Sequence, residues 1–214
     1  MTTAKSSPRR STYRHGDLQR VLLAAGIELA RAAGPDAVVL REVTRRAGVV
    51  PNAAYRHFAS RDDLLRAVRS AALAALALAI EAELARVRPG KRVAEVARAK
   101  LHAVGVGYLR FAQAEPGLFR TAFVVTDDTE VKERDAMTGN SGLNPFELLG
   151  AALDEFVVAG LLAKAKRPGA EYLAWSAVHG LATLVIDGPL RRLDRRATVR
   201  IGDRLLEMVE KGLG

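Results

Sequence analysis

The amino-acid sequence predicts an all-α protein of about nine helices, on three observations. Apolar residues recur at helical spacing through most of the 214 residues. Strand signals are scarce, with no sustained period-two alternation and no Asn-Gly or Asp-Gly turn between apolar runs. Gly-Pro or Pro-Gly pairs at 34–35, 89–90, 116–117, 168–169 and 188–189 punctuate the chain at intervals that suit helices.

The first helix is marked by Leu18, Leu22, Ala25 and Leu29 on one face, with Asp17 as its N-cap and Gly34-Pro35 at its end. A short second helix covers 40–47, with Leu40, Val43 and Ala47 on one side and Gly48 as its left-handed stop. A third covers 51–58. Ser60, followed by Asp62 and Asp63, then caps a long Ala/Leu helix reaching about residue 87. Five further helices are expected at roughly 92–114, 117–125, 144–164, 170–188 and 196–212. The polar segment 126–144 reads as a mobile loop, and no repeat of fixed period is visible.

Composition narrows the function classes. Hydrophobic residues make up 49% and charged residues 27%, ordinary for a globular chain with a real core. The formal net charge is +9 and the pI about 10.3, which favours polyanionic partners. The excess is uneven: residues 1–66 carry 12 Lys/Arg against 6 Asp/Glu, and the remainder 21 against 18. The absence of cysteine removes disulfides, thiolate metal sites and cysteine nucleophiles. The longest apolar run, residues 71–80, is about half a membrane span, so no membrane partner is expected. Residues 1–13 read as a disordered basic arm. Arg9-Arg10 is followed by no hydrophobic segment and is not an export signal, so a cytoplasmic location is expected. Enzymatic signatures are missing: His15, His57, His102 and His179 are dispersed, and Gly105-Val-Gly107 lies in a helical pattern without the third glycine of a dinucleotide loop. Neither an enzyme nor a cofactor or metal is expected.

The three N-terminal helices, the second and third joined through Gly48-Val49, form a helix-turn-helix pattern. On a wheel of residues 51–58, Ala54 and Phe58 face inward and Asn52 and Arg56 outward. Ala53 and His57 flank one side of that face, and Tyr55 the other. Arg bonds bidentately to guanine and Asn to adenine, and Ala53 suits a thymine methyl. Tyr55 and His57 suit phosphates. Arg14, Arg41, Pro51 and Arg61 complete the candidate DNA-contact set.

Leu40-Arg-Glu-Val-Thr-Arg-Arg-Ala-Gly48, Val49, Ala54-Tyr-Arg-His-Phe58 and Ser60-Arg-Asp-Asp-Leu-Leu65 together resemble the DNA-binding domain of the TetR family of transcriptional regulators over about residues 14–68. Tyr13-Arg-His-Gly-Asp-Leu18 resembles the start of one branch, whose C-terminal signature Trp-x-x-x-His-Gly is matched by Trp175-Ser-Ala-Val-His179-Gly180. The resemblance implies a DNA-binding domain at 14–60 and a helical ligand-binding and dimerisation domain at 61–214. It implies a regulator, expected to be a repressor, that binds palindromic operator DNA as a homodimer through its last two helices. A small hydrophobic effector releases it. Two positions depart from the pattern. The family commonly places Ser or Thr at the N-caps of helices 2 and 3, where this chain has Val39 and Val50; a lost hydroxyl cap costs about 1 kcal/mol. Pro51 offsets part of this by favouring the first helical position and an extended Val50.

In the C-terminal region, Leu173, Trp175, Val178, Leu181, Leu184 and Val185 do not fit one stripe, so that helix should be covered on two sides. Ile201, Leu205, Met208 and Val209 offer a second seam. Candidates for lining an effector pocket are Tyr108, Phe111, Phe119, Phe123, Phe146, Phe156, Trp175 and His179, and a tryptophan at Ala177 should fill it. A non-specific or architectural DNA-binding protein would account for the charge but not for 140 residues of mostly near-neutral helical domain. An activator would carry the same sequence features as a repressor.

Overall fold

The computed structural model describes residues 15–125 and 134–214; the arm at 1–13, Arg14 and the first part of the 126–144 segment lie outside the described residues. Among the described residues there are nine α-helices and no strand. They are α1 (His15–Ala33), α2 (Leu40–Ala47), α3 (Pro51–Ala54), α4 (Arg61–Leu84), α5 (Val93–Ala114), α6 (Pro116–Ala122), α7 (Pro145–Val158), α8 (Ala170–Ile186) and α9 (Arg195–Leu213).

The first three helices and the start of α4 close around Leu22, Val38, Val43, Ala54, Leu64 and Val68, all fully buried. Burial of side chains of this size contributes roughly 1.5–3 kcal/mol each, before the entropy of ordering them. The helices end where the local chemistry directs. Gly48 takes φ 68°, a left-handed conformation that closes α2 and turns the chain toward α3. Ser60 and Asp63 form a reciprocal capping box at the start of α4, and Asn144 and Glu147 form another at α7.

Several boundaries differ from the sequence reading. Helix α1 already runs from His15, which places Asp17 inside its first turns rather than at its cap. Helix α3 is a single turn, Pro51–Ala54, rather than the 51–58 read from the sequence, followed by a tight turn in which the amides of His57 and Phe58 both donate to the Ala54 carbonyl. It is short because Ser60, two residues beyond Phe58, must be fully extended (φ −141°, ψ 171°) to cap α4. Helix α7 stops at Val158 rather than 164: Gly160 turns left-handed, and the Leu161 and Gly160 amides close back on the Phe156 and Val157 carbonyls.

Helix α4 continues from this N-terminal head into the larger bundle, where α5 folds back along it, α7, α8 and α9 cover α5, and α6 lies against α1 and α4. The described part of the expected loop is held in place. Glu81 of α4 accepts hydrogen bonds from the Asn140 amide (2.9 Å), the Ser141 amide (2.9 Å) and the Ser141 hydroxyl (2.6 Å). Partial burial pushes the Glu81 carboxyl up, but these three bonds outweigh it and leave its pKa below the ordinary value. The head and bundle meet at Gly117, where a Cβ would lie 2.3 Å from the Ala30 carbonyl oxygen and 2.4 Å from that of Arg31. Only glycine permits α6 to sit this close to the end of α1. Arg31 and Glu115 (2.9 Å) brace the same joint, and Arg120 forks onto Asp187 at 2.6–3.0 Å beside it.

Both close contacts bear on stability. Gly117→Ala should destabilise the chain by about 1–3 kcal/mol in chemical denaturation, because the new methyl displaces backbone rather than a movable side chain. Glu81→Gln should speed hydrogen exchange at the Asn140 and Ser141 amides. In the wild type the same acceleration should appear only as pH falls through the depressed Glu81 pKa, because that contribution is present above the unfolded value and lost below the folded one.

Candidate nucleic-acid interface and internal cavity

The outward surface of the head is built from α2 and α3. Helix α2 carries Glu42 in its first turn and Arg45 and Arg46 in its last, the order its dipole favours. Arg45 grips Glu42 at 2.6 and 2.8 Å and, with Arg46 at 3.7 Å, holds the Glu42 carboxyl below its usual range. Neither Val39 nor Val50 makes a side-chain cap; both are extended, and Val50 is 69% exposed.

Ala54 and Phe58 are buried, and this anchors the short helix with Pro51, Asn52, Tyr55 and Arg56 exposed and Ala53 and His57 half-buried. Arg41 is also exposed. Arg61 is placed differently from the rest of the candidate set. Its Nε donates to the Val38 carbonyl and its Nη2 to the Pro35 carbonyl, each at 3.0 Å. The guanidinium thus ties the start of α4 to the connection that precedes α2, while the side chain stays 40% exposed.

Inside the bundle lies a cavity of about 560 Å³, within the range of small-molecule sites. Its lining on α4 runs from Arg69 to Ile80, roughly 16 Å of helix, so the space is elongated. Of the aromatic candidates, Tyr108, Phe123, Phe146 and Trp175 border it. Phe111, Phe119 and Phe156 are buried in the core outside the lining, because the bundle uses them to join helices. His179 lies one layer behind the wall: its ring packs on Phe119 and Phe123 (centroids 5.5 and 4.8 Å), and its Nδ1 meets the Tyr108 hydroxyl at 2.7 Å. Ala177 is off the lining, and Tyr172, Ala174, Trp175 and Val178 are the α8 residues that border the space.

Burial lowers the pKa of His179 and raises that of Tyr108, the latter against the hydrogen bond donated by the Trp175 indole. Both are therefore neutral near pH 7. Aliphatic wall residues such as Leu73, Leu101, Leu149 and Leu206 escaped the sequence reading, being indistinguishable from core. Arg69 did leave a trace in the sequence, as a cation on the otherwise apolar stripe Leu65, Leu73, Leu76 and Ile80.

On the outer side of the bundle, α8 and α9 keep a second apolar face uncovered. Leu173 is 68% and Leu184 43% exposed on α8, and Met208 is 59% exposed on α9, with Ile201 beside it. No helix among the described residues is long and apolar enough to cross a membrane.

Comparison with known proteins matches this architecture. Residues 22–68 match the family model for bacterial regulatory proteins of the tetR family, and residues 101–209 match the tetracyclin repressor-like C-terminal domain. Among solved structures, the chain is similar to a Rhodococcus sp. RHA1 protein of unknown function at 25% identity. That alignment covers 95% of this chain and 99% of the other, with a TM-score of 0.74. A TetR family transcription regulator from Marinobacter aquaeolei VT8 shares the fold at 18% identity, with 92% and 95% of the two chains covered and a TM-score of 0.58. So does a TetR family transcriptional regulator from Thermus thermophilus, at 18% identity, 90% and 98% coverage and a TM-score of 0.53. No curated protein sequence matches the chain. With both domains matched in order and in place on one all-helical chain, the protein belongs to the TetR family and is a transcription regulator, not an enzyme.

Proposed function

We propose that the chain is a cytoplasmic transcriptional repressor that binds a palindromic operator as a homodimer and is released by a small hydrophobic effector. Residues 14–60 act as the DNA-binding domain, 61–214 as the effector-binding and dimerisation domain, and 1–13 as a basic arm. The observation that carries the reading is the outward face of α3. Buried Ala54 and Phe58 clamp it to the head, which leaves Asn52, Tyr55 and Arg56 at solvent on the more basic third of the chain. Pro51, Ala53, His57 and Arg41 border the same surface, and Arg14, the first residue of the DNA-binding domain, completes the contact set. Arg61 holds α4 against the connection before α2 and, with its side chain 40% exposed, belongs to the same contact set.

The uncovered face of α8 and α9 supports dimerisation. Leu173, Leu184, Ile201 and Met208 would leave water if two copies packed these helices as a four-helix bundle. A two-fold dimer then presents two recognition helices to two half-sites. The elongated cavity supports an effector, and the joint at Gly117 connects the α6 wall of the cavity to the end of α1. Release by effector is a population shift, and needs a molecule that binds one head spacing better than the other.

Selection of bound sequences from random duplexes at two salt concentrations tests the reading. A short palindrome that survives high salt is expected; sequence-blind binding that vanishes with salt would overturn it. Two variants sharpen the outcome. Val50→Ser, at an exposed position where the swap removes no packing, should tighten operator binding about fivefold by restoring the α3 cap. Leu184→Glu should convert a dimer to a monomer in sedimentation with unchanged far-ultraviolet dichroism, and should weaken operator binding. A persistent dimer would place the seam elsewhere.

A further inference from the structure

The aromatic wall of the cavity contains a short hydrogen-bond chain whose donors and acceptors can be counted. The Trp175 indole N–H, a donor only, reaches the Tyr108 hydroxyl oxygen at 3.1 Å. The same oxygen stands 2.7 Å from His179 Nδ1. The Tyr108 proton points at Nδ1 when the neutral imidazole carries its own proton on Nε2. The direction agrees with burial, which disfavours both the imidazolium and the phenolate.

The count has a consequence for what the cavity can hold. Trp175 and Tyr108 both border it, while His179 does not. The indole proton is already donated to Tyr108, and in that tautomer the Tyr108 proton is donated to His179. What remains is one lone pair on the Tyr108 oxygen. Elsewhere in the lining, the Asn144 side-chain oxygen accepts from the Phe146 and Glu147 amides at 3.0 Å, Glu210 is paired with Arg98 at 3.0 Å and His102 lies 3.8 Å from Asp203, while Arg69 carries a further donor in its buried Nε.

We infer that His179 accepts the Tyr108 proton at Nδ1, so that this end of the cavity selects a molecule whose hydroxyl group donates to Tyr108, and discriminates against the same molecule carrying an ether or ketone at that point. An ether or carbonyl oxygen there would set lone pair against lone pair and leave the buried tyrosine oxygen desolvated without a partner. The inference rests on reading the cavity as the effector site, and the test separates the two.

The chain has a single tryptophan, Trp175, and it stands in the cavity wall, so its fluorescence reports occupancy directly. Three probes of similar shape, para-cyclohexylphenol, para-cyclohexylanisole and para-cyclohexylacetophenone, are titrated into the wild-type dimer by fluorescence and calorimetry. Release of operator DNA is followed in parallel. The phenol should bind about tenfold tighter than the other two. In Tyr108→Phe the three should converge. In His179→Leu the tyrosine proton loses its acceptor and becomes available to the cavity, so the preference should move toward the acetophenone; a merely structural role for His179 would weaken all three alike. Equal binding of the probes to the wild type, a wild-type preference for the ketone, or no binding of any of them would each overturn the inference. Phenol preference without operator release would leave the cavity chemistry standing and remove the effector reading instead.

Discussion

The apolar face of α4 is shared between two cores. Leu64 and Val68 pack against α1 at Gly26, with Leu65 buried beside them, while Leu76, Ala77 and Ile80 are buried where α5 folds back along α4. Between them, Arg69 and Leu73 border the cavity, and just beyond Ile80 the Glu81 carboxylate holds the 139–141 turn. A helix is stiff over this length, so a tilt at one core is a displacement at the other. The Ser60–Asp63 capping box and the Arg61 bonds to the Val38 and Pro35 carbonyls fix where this lever enters the head. Everything α3 presents to solvent is positioned through that entry point.

The joint at α6 adds a second constraint. Gly117 lets backbone meet backbone against the end of α1, and the flanking ion pairs Arg31–Glu115 and Arg120–Asp187 are exposed enough that each contributes little alone. Close packing of this kind has few intermediate positions, the property that the proposed effector response would require of the joint between cavity and head. Ala122 and Phe123, at the far end of the same short segment, border the cavity.

The head achieves its shape with weaker local signals than a fully capped helix-turn-helix would have. Val39 and Val50 leave two helix N-termini without a side-chain acceptor, and the exposure of Val50 shows that its side chain is not there for packing. Glu42 in the first turn of α2 and Pro51 at the start of α3 supply part of what is missing, by charge in one case and by a fixed backbone angle in the other. The tertiary core of Val43, Ala54 and Phe58 supplies the rest.

Local chemistry decided the helix count, the turn at Gly48, the Ser60 cap and the burial of Ala54 and Phe58, because each depends on residues a few positions apart. The motif residues of the head were readable for the same reason. What depended on distant parts of the chain was not. Helix α3 is one turn long because the cap of the next helix claims its last residues. Arg61 serves the scaffold because Val38 and Pro35, more than twenty residues earlier, bring their carbonyls to it. Which aromatic residues border the cavity is set by how α5, α6, α7 and α8 pack, and helical spacing places Phe111 and Tyr108 on buried faces without saying which of them meets empty space. The pairing of Tyr108 with His179, 71 positions apart, likewise has no local signature. Periodicity in a sequence reports which face of a helix is buried, and only the packed structure decides what that face is buried against.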